Sequence, residues 1–359
     1  MGTTPDQHPN ALGYDDWYGF LSGGRYYYPN DHPNYKGKYL KKTTPWDMRK
    51  VHHTLPIMHN YEVLDWDQYI TRELTDYSLK FINDQKENPF FLFVSYNAPH
   101  LELEAPEETI KMFPPENMTK VPGVSQRSRS IYAAMTYEMD LGIGRIIKQL
   151  EDQNLLDNTL IWFLSDNGGM SRTSDNRPLK GAKGALYEGG LRVPFIAHWP
   201  KVIQPGTVVD HPVTSLDIGA TAVALSGGDL SSTQLDGADL TKNFTGADAP
   251  HEELYWSWSY HQDQSPEKGV YLKNGFKLII GKQLQLYNLN EDLSEKNNLA
   301  DDMSDLAAQY HERWRTLNQA SSKPIFGDTQ SGKYAYQYAN YEWLKGTPHY
   351  KADVDPLDY

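Results

Sequence analysis

Residues 160–169 read LIWFLSDNGG, five apolar residues running straight into Ser165, Asp166, Asn167 and two glycines. A run this short and this apolar predicts a buried strand, and its last residue, Leu164, hands the chain directly to an acid and an amide. Upstream lies a second run of the same kind, Phe90 to Val94, which leads through Pro99 to His100 in PFFLFVSYNAPH (residues 89–100). Helical spacing precedes each run: Ile70, Leu74, Tyr77 and Phe81 before the first, and Ile131, Met135, Met139, Ile143, Ile146 and Leu150 before the second. Downstream come the polar loop MSRTSDNRPLKGAKGALYEGG (170–190) and the apolar run VPFIAHW (193–199). A helix then starts near Ser215, with Asp217 in its first turn, where a carboxylate meets the positive helix end. Helix, strand, helix, strand, loop, strand, helix predicts an α/β fold with a mostly parallel central sheet flanked by helices. Ligands bind beyond the carboxyl ends of the strands in such sheets.

On either side of this block the pattern changes. Residues 1–60 are rich in Tyr, Pro, Gly, Asn and His and hold neither period, so they read as ordered loop with short strands. Near residue 226 the composition shifts to SGGDLSSTQLDGADL, a domain boundary. Beyond it, LYWSWSY and GVYLKNGFKLIIGKQLQLYNL predict short antiparallel strands with turns at KNG and IGKQ, and a helix over about Met303 to Leu317 packs on them. Three regions result: an α/β catalytic-type domain over 1–226, a smaller α+β subdomain over 227–320, and a Tyr-rich wrapping tail over 321–359.

Bulk composition narrows the partners. The 359 residues are 39% hydrophobic, enough for a substantial core, and carry a formal net charge of −13. That charge repels nucleic acid and anionic membranes at long range. No stretch approaches the roughly 18 apolar residues of a membrane span, and the start MGTTPDQHPN lacks the basic and apolar regions of a signal peptide, so the compartment stays unassigned. There is no cysteine, which removes disulfides, thiolate metal sites and a Cys nucleophile.

Chemistry-bearing residues gather after the predicted strands, with His100 beyond the first and Asp166 and Asn167 beyond the second. Asp and Asn offer hard oxygen ligands suited to Ca²⁺ or Mg²⁺. Asp-Asn-Gly-Gly is also what a strand-ending turn uses, and the residues alone leave both readings open. His100 can donate a proton or hold an anion, or simply pack in its loop. Lys180 and Lys183 sit among glycines that let backbone N–H groups approach an anion, although a glycine-rich loop with solvated lysines has the same sequence. Arg172 and Arg177 border this loop and can pair with a carboxylate or other anionic group of a ligand, or be solvated. The 25 tyrosines and 9 tryptophans can stack on sugar rings or fill a core.

Taken in order, FFLFVSYNAPH, the 132–169 segment, LKGAKGALYEGGLRVPFIAHWPKVIQPG, SLDIGATAVALSG and LIIGKQLQLYNLNEDLSEKNNLA resemble the sulfatase family of the alkaline phosphatase superfamily, from about Gly13 to about Leu317. KGALYEGGLRVPFI is the most specific part. The resemblance implies an alkaline phosphatase-like fold and hydrolysis of sulfate esters, with sulfated glycans as the preferred class and a simple aryl sulfate as the other. It implies Asp166 and Asn167 as calcium ligands. His100 becomes a sulfate contact and proton donor to the leaving alcohol, and Lys183 rather than Lys180 grips sulfate oxygens. Family members are often periplasmic, secreted or lysosomal.

Departures from the family pattern are as informative. Sulfatases attack with a formylglycine made from Cys, or sometimes Ser, in a C-x-P-S-R-type motif, and SQRSR (125–129) is the nearest lookalike, with Arg in the wrong place. The paired aspartates that complete the calcium site and the GKWHLG-like segment have no counterpart, and GYDDWYGFLSGG (13–24) matches a region that normally follows them. The sequence therefore resembles a sulfatase without its N-terminal portion: an incomplete fold, half a calcium site, no formylglycine, and no turnover unless that portion or a second chain supplies the rest. Two other readings are a non-catalytic sulfoglycan binder, and a phosphatase or phosphodiesterase relative of the same superfamily.

Overall fold

The computed structural model describes residues 7–21, 24–29, 31–34, 56–246, 249–257 and 268–321. They fall into two compact units that meet in sequence at Leu155 and Leu156. The composition shift near residue 226 therefore lies inside the second unit, and the tail read over 321–359 lies, beyond Ser321, outside the described residues.

In the first unit the aperiodic N-terminal region yields short strands, β1 (Tyr18–Gly19), β2 (Ile57–His59) and β3 (Glu62–Leu64), paired antiparallel in that order. Helix α1 (Ile70–Gln85) buries Ile70, Leu74 and Ile82, and stops short of Asn88 and Pro89, as the spacing predicts. A one-turn helix, α2 (Glu107–Ile110), precedes α3 (Gln126–Asp152), whose buried stripe includes Ile131, Met135 and Leu150. Ile70, Leu74, Ile131 and Met135 form one core with Tyr26, Tyr27, Tyr28 and Tyr69, each fully buried aliphatic side chain contributing about 1.5–3 kcal/mol. Ser125, the first residue of the SQRSR lookalike, is the N-cap of α3 and accepts from Ser128 N at 3.3 Å. Helix capping accounts for that serine.

Two ion pairs fasten α1 to α3: Arg145 Nη2 lies 2.6 Å from Asp76 Oδ1 at the surface, and Arg72 meets the buried Glu138. The Glu138 side chain, 2% exposed, accepts from Arg72 Nε at 2.8 Å and Nη2 at 2.7 Å, and from the Thr109 hydroxyl. Burial works to raise the Glu138 pKa, but the bonds from Arg72 and Thr109 and the guanidinium charge outweigh it and hold it below the ordinary carboxylate value. Replacing Arg72 with Ala leaves a buried carboxylate uncompensated and is expected to cost about 2–4 kcal/mol, measured by urea unfolding at pH 7. A folded-state pKa that is depressed gives stability present above the unfolded carboxylate pKa and lost below it. The wild-type advantage should accordingly fade as the pH falls below about 4.5.

The second unit opens with β4 (Ile161–Leu164), the strand read from LIWFLSDNGG. After α4 (Glu188–Leu191) comes β5 (Phe195–His198), and here the sheet departs from the prediction. β4 and β5 pair antiparallel, Ile161 opposite His198 and Leu164 opposite Phe195. A parallel return needs a substantial crossover element packed on the sheet. The 165–194 segment carries only the four-residue α4, so the chain comes back alongside β4 in the opposite sense. Phe90 to Val94 likewise joins no ladder among the described residues: it is extended, with Phe91 57% and Phe93 55% exposed. The expected parallel central sheet is therefore not formed by the described residues, all of whose sheets are antiparallel.

Helix α5 (Leu216–Leu225) begins where Asp217 predicts. The fully buried Asp217 carboxylate accepts from Thr214 N at 2.7 Å, Ala238 N at 2.8 Å and His251 Nε2 at 2.9 Å, so it secures a loop as well as a helix end. The C-terminal reading holds closely: β6 (Leu254–Ser257), β7 (Gly269–Lys273), β8 (Phe276–Ile280) and β9 (Gln285–Asn288) form one antiparallel sheet in chain order. Asn274 and Gly275, at φ 53° and 77°, make the two-residue turn between β7 and β8. Both central residues of such a turn need positive φ, and Asn-Gly supplies it at least cost. Helix α6 (Ser304–Ala320) packs Ala307, Tyr310 and Trp314 on this sheet.

Candidate functional site

Strand β4 ends because the chain bends sharply after Leu164, where Ser165 Oγ donates to Asn167 O at 2.9 Å. Asp166 is exposed, and among the described residues its carboxylate has no hydrogen-bond or ion-pair partner. Asn167 Nδ2 donates to Gly168 O at 3.1 Å, which leaves the amide oxygen as the unspent group. An aspartate oxygen and an amide oxygen on adjacent residues, both free to face outward, suit a hard cation such as Ca²⁺. Two such oxygens would be part of the roughly six to eight that calcium takes. Among the described residues no cluster of three or more His, Cys, Asp or Glu could hold a metal ion.

The glycine-rich loop lies directly against this bend. Gly168 N donates to Gly190 O at 3.0 Å, and Lys183 N donates to Gly169 O at 3.1 Å. The approach is so close that a Cβ on Gly168 would stand 1.8 Å from Gly189 O, which explains that glycine without any appeal to turn geometry. Asp166, Asn167 and Lys183 are thus held on adjoining loops of one unit.

The two lysines behave differently. Lys180 points into the protein, 3.0 Å from Glu295 O, 3.4 Å from Tyr287 Oη and 4.2 Å above the Tyr187 ring. Burial acts to lower its pKa, but the Tyr287 hydroxyl and the neighbouring charges prevail and raise it. Lys183 is exposed, with no side-chain partner among the described residues. Lys180 is structural, and Lys183 is the ammonium available to an anion.

Of the two arginines, Arg177 is engaged by Asp175, with Nε to Oδ1 at 2.7 Å and Nη2 to Oδ2 at 2.6 Å. Arg172 is exposed and has no partner among the described residues. A bidentate neighbour leaves Arg177 less available to a substrate than Arg172.

His100 belongs to the first unit. Its backbone is pinned by His100 N to Asn97 O at 2.7 Å and by Tyr27 Oη to Asn97 O and His100 O, both at 2.8 Å. Nδ1 lies 2.7 Å from Leu101 O. A carbonyl only accepts, so Nδ1 carries the hydrogen and Nε2 is the nitrogen left for chemistry.

The sequence reading missed a buried ion cluster that supports the glycine-rich loop. Lys277 of β8, 1% exposed, reaches Glu188 Oε1 at 2.8 Å and Glu295 Oε1 at 2.9 Å. Glu295 Oε2 also accepts from Glu188 N at 2.7 Å, at the start of α4. The only available signal was a lysine standing within an otherwise apolar strand, FKLII, whose last four residues are all buried.

The Sulfatase family model matches residues 2–228, and the model for the N-sulphoglucosamine sulphohydrolase C-terminal region matches residues 182–323. The chain is 33% identical over 215 residues to human steryl-sulfatase, covering 55% of this chain and 34% of that protein. It is 29% identical over 264 residues to a sulfatase of Formosa agariphila, covering 65% of this chain and 46% of that protein. It therefore spans less than half the length of these relatives. Among solved structures, Ps i-CgsB in complex with k-i-k-neocarrahexaose superposes with a TM-score of 0.80 at 32% identity, covering 97% of this chain and 74% of that one. The phosphonate monoester hydrolase of Agrobacterium radiobacter, at 21% identity and a TM-score of 0.56, shares the fold alone. With the family model matching well over half of its residues, the chain belongs to the sulfatase family of the alkaline phosphatase superfamily.

Proposed function

We propose that this chain carries the calcium-ligand and sulfate-gripping part of a sulfate-ester hydrolase acting on sulfated glycans of the neocarrahexaose kind. The observation that carries the reading is the Lys183 N to Gly169 O contact, which sets the backbone of an exposed lysine beside the bend that bears Asp166 and Asn167. Asp166 and Asn167 would hold calcium, which when bound supplies positive charge to the sulfate oxygens. Lys183 Nζ binds a sulfate oxygen and stabilises the charge that gathers there as the ester breaks. His100, protonated at Nε2, gives its proton to the departing sugar oxygen. Arg172 pairs with an anionic group on a neighbouring sugar, and Arg177 can join only by leaving Asp175. The glycan preference rests on the likeness to Ps i-CgsB and the oligosaccharide seated on it.

The 359 residues hold no cysteine, and the serine of their nearest motif lookalike caps a helix. In this reading a cysteine-derived formylglycine is not among the groups this chain contributes. In this reading the chain alone binds sulfated glycan and does not turn it over. Calorimetry of the chain against a sulfated neocarra-oligosaccharide and its desulfated form is expected to show heat with the first only. Lys183→Ala should weaken binding about 10- to 100-fold, the range set by one charge-assisted hydrogen bond. Binding indifferent to sulfate or to Lys183 would sink the assignment. Release of sulfate from an aryl ester that disappears in Lys183→Ala would overturn the claim of inactivity.

A further inference from the structure

We infer that Asn176 is a positioning residue, a clasp that fixes the Lys183 loop to the Asp166–Asn167 bend. The inference rests on the proposed roles of those residues. Asn176 Oδ1 accepts from Gly169 N at 3.1 Å, and Nδ2 donates to Gly169 O at 2.8 Å and to Gly181 O at 3.3 Å. One side chain thus satisfies both backbone groups of the residue that follows Asn167 and Gly168, and reaches the glycine two residues before Lys183. Gly169 O also accepts from Lys183 N at 3.1 Å, so both of its lone pairs are committed. Where Asn176 holds this oxygen, the lysine backbone follows.

The chemistry explains why an amide is required. An amide offers acceptor and donor atoms on the two arms of one planar group, and all three bonds use that polarity. Aspartate has the same shape but sets a carboxylate oxygen against the carbonyls of Gly169 and Gly181. Alanine removes the clasp altogether. Catalysis and anion binding depend on such geometry to fractions of an ångström, and side chains that hold the binding groups are as decisive as the groups themselves.

The test uses the full chain labelled for NMR, with Asn176→Ala and Asn176→Asp. Backbone amide exchange at Gly169 and Lys183 is expected to quicken at least 10-fold in both, while Val270 and Leu278 in the sheet keep their protection. Titration with inorganic sulfate, followed by the Lys183 amide shift, should give a Kd raised at least 10-fold. Unchanged exchange at Gly169 and Lys183 overturns the clasp. Faster exchange through the sheet as well reduces Asn176 to a general stability role and overturns it too. Local acceleration with an unaltered sulfate Kd overturns the positioning role. A wild-type chain that ignores sulfate overturns the proposed function instead, and the exchange data alone then decide the clasp.

Discussion

Replacing Lys277 with Met is expected to cost about 3–5 kcal/mol, the range for stripping the counter-ion from a buried charge. Methionine keeps the stem's packing, so the loss isolates the charge. Without the ammonium, Glu188 and Glu295 are left close together inside the protein, and the half-exposed Arg192, 3.6 Å from Glu188 Oε2, is the ion-pair partner that remains among the described residues. The deficit should depend on pH in a defined sense. Glu295 already sits above the ordinary carboxylate value because burial outweighs the Lys277 charge and its bond from Glu188 N. A carboxylate with a raised folded-state pKa favours the folded state at low pH and opposes it as the pH climbs through that value. The variant should therefore be most impaired at neutral pH and recover as the pH drops toward about 4.5. Urea unfolding at pH 7 and pH 5 measures both effects. A deficit under 1 kcal/mol, or one that ignores pH, would show that water already reaches the cluster.

Gly168→Ala is expected to be the most damaging single methyl group in the second unit. Its Cβ would lie 1.8 Å from Gly189 O and 2.9 Å from Gly190 Cα, both backbone atoms that cannot swing aside. Overpacking of this kind costs about 1–3 kcal/mol and sometimes more. Relief requires parting the Gly168 N to Gly190 O hydrogen bond, which separates the Asp166–Asn167 bend from α4. Sulfate affinity should fall by more than in Lys183→Ala, because the whole anchor shifts rather than one contact. Thermal unfolding and the sulfate titration together check this; near-wild-type values in both would contradict the packing.

Much of this was legible in the sequence, for identifiable reasons. LIWFLSDNGG announces strand then bend because burial and chain reversal demand different residue types, and β4 ends at Leu164. Asn274-Gly275 fixes a hairpin because few other pairs tolerate its dihedrals. Sheet sense was not legible. Strand periodicity is blind to direction, and a helix-strand rhythm suggests parallel pairing even where the linking segment, here 165–194, is too poor in helix to make the crossing. The apolarity of Phe90 to Val94 predicted burial, whereas Phe91 and Phe93 are more than half exposed, since composition does not say whether a covering surface is present. Lys277 was invisible because its partner Glu188 lies 89 residues away, and no local pattern encodes such a pairing. Its place inside an apolar strand only gains meaning once β8 is folded against α4. Asn176 reads as an ordinary loop residue for the same reason.

The carbonyl oxygens crowding Gly168, Gly189 and Gly190 have a wider consequence. An anchor built from main chain touching main chain admits no gradual variation, since even the smallest added group collides. Under the function proposed above, preferences for one sulfated sugar over another would be written on the solvent side, around Arg172 and the residues leading to Asn176, while the backbone anchor beneath stays fixed.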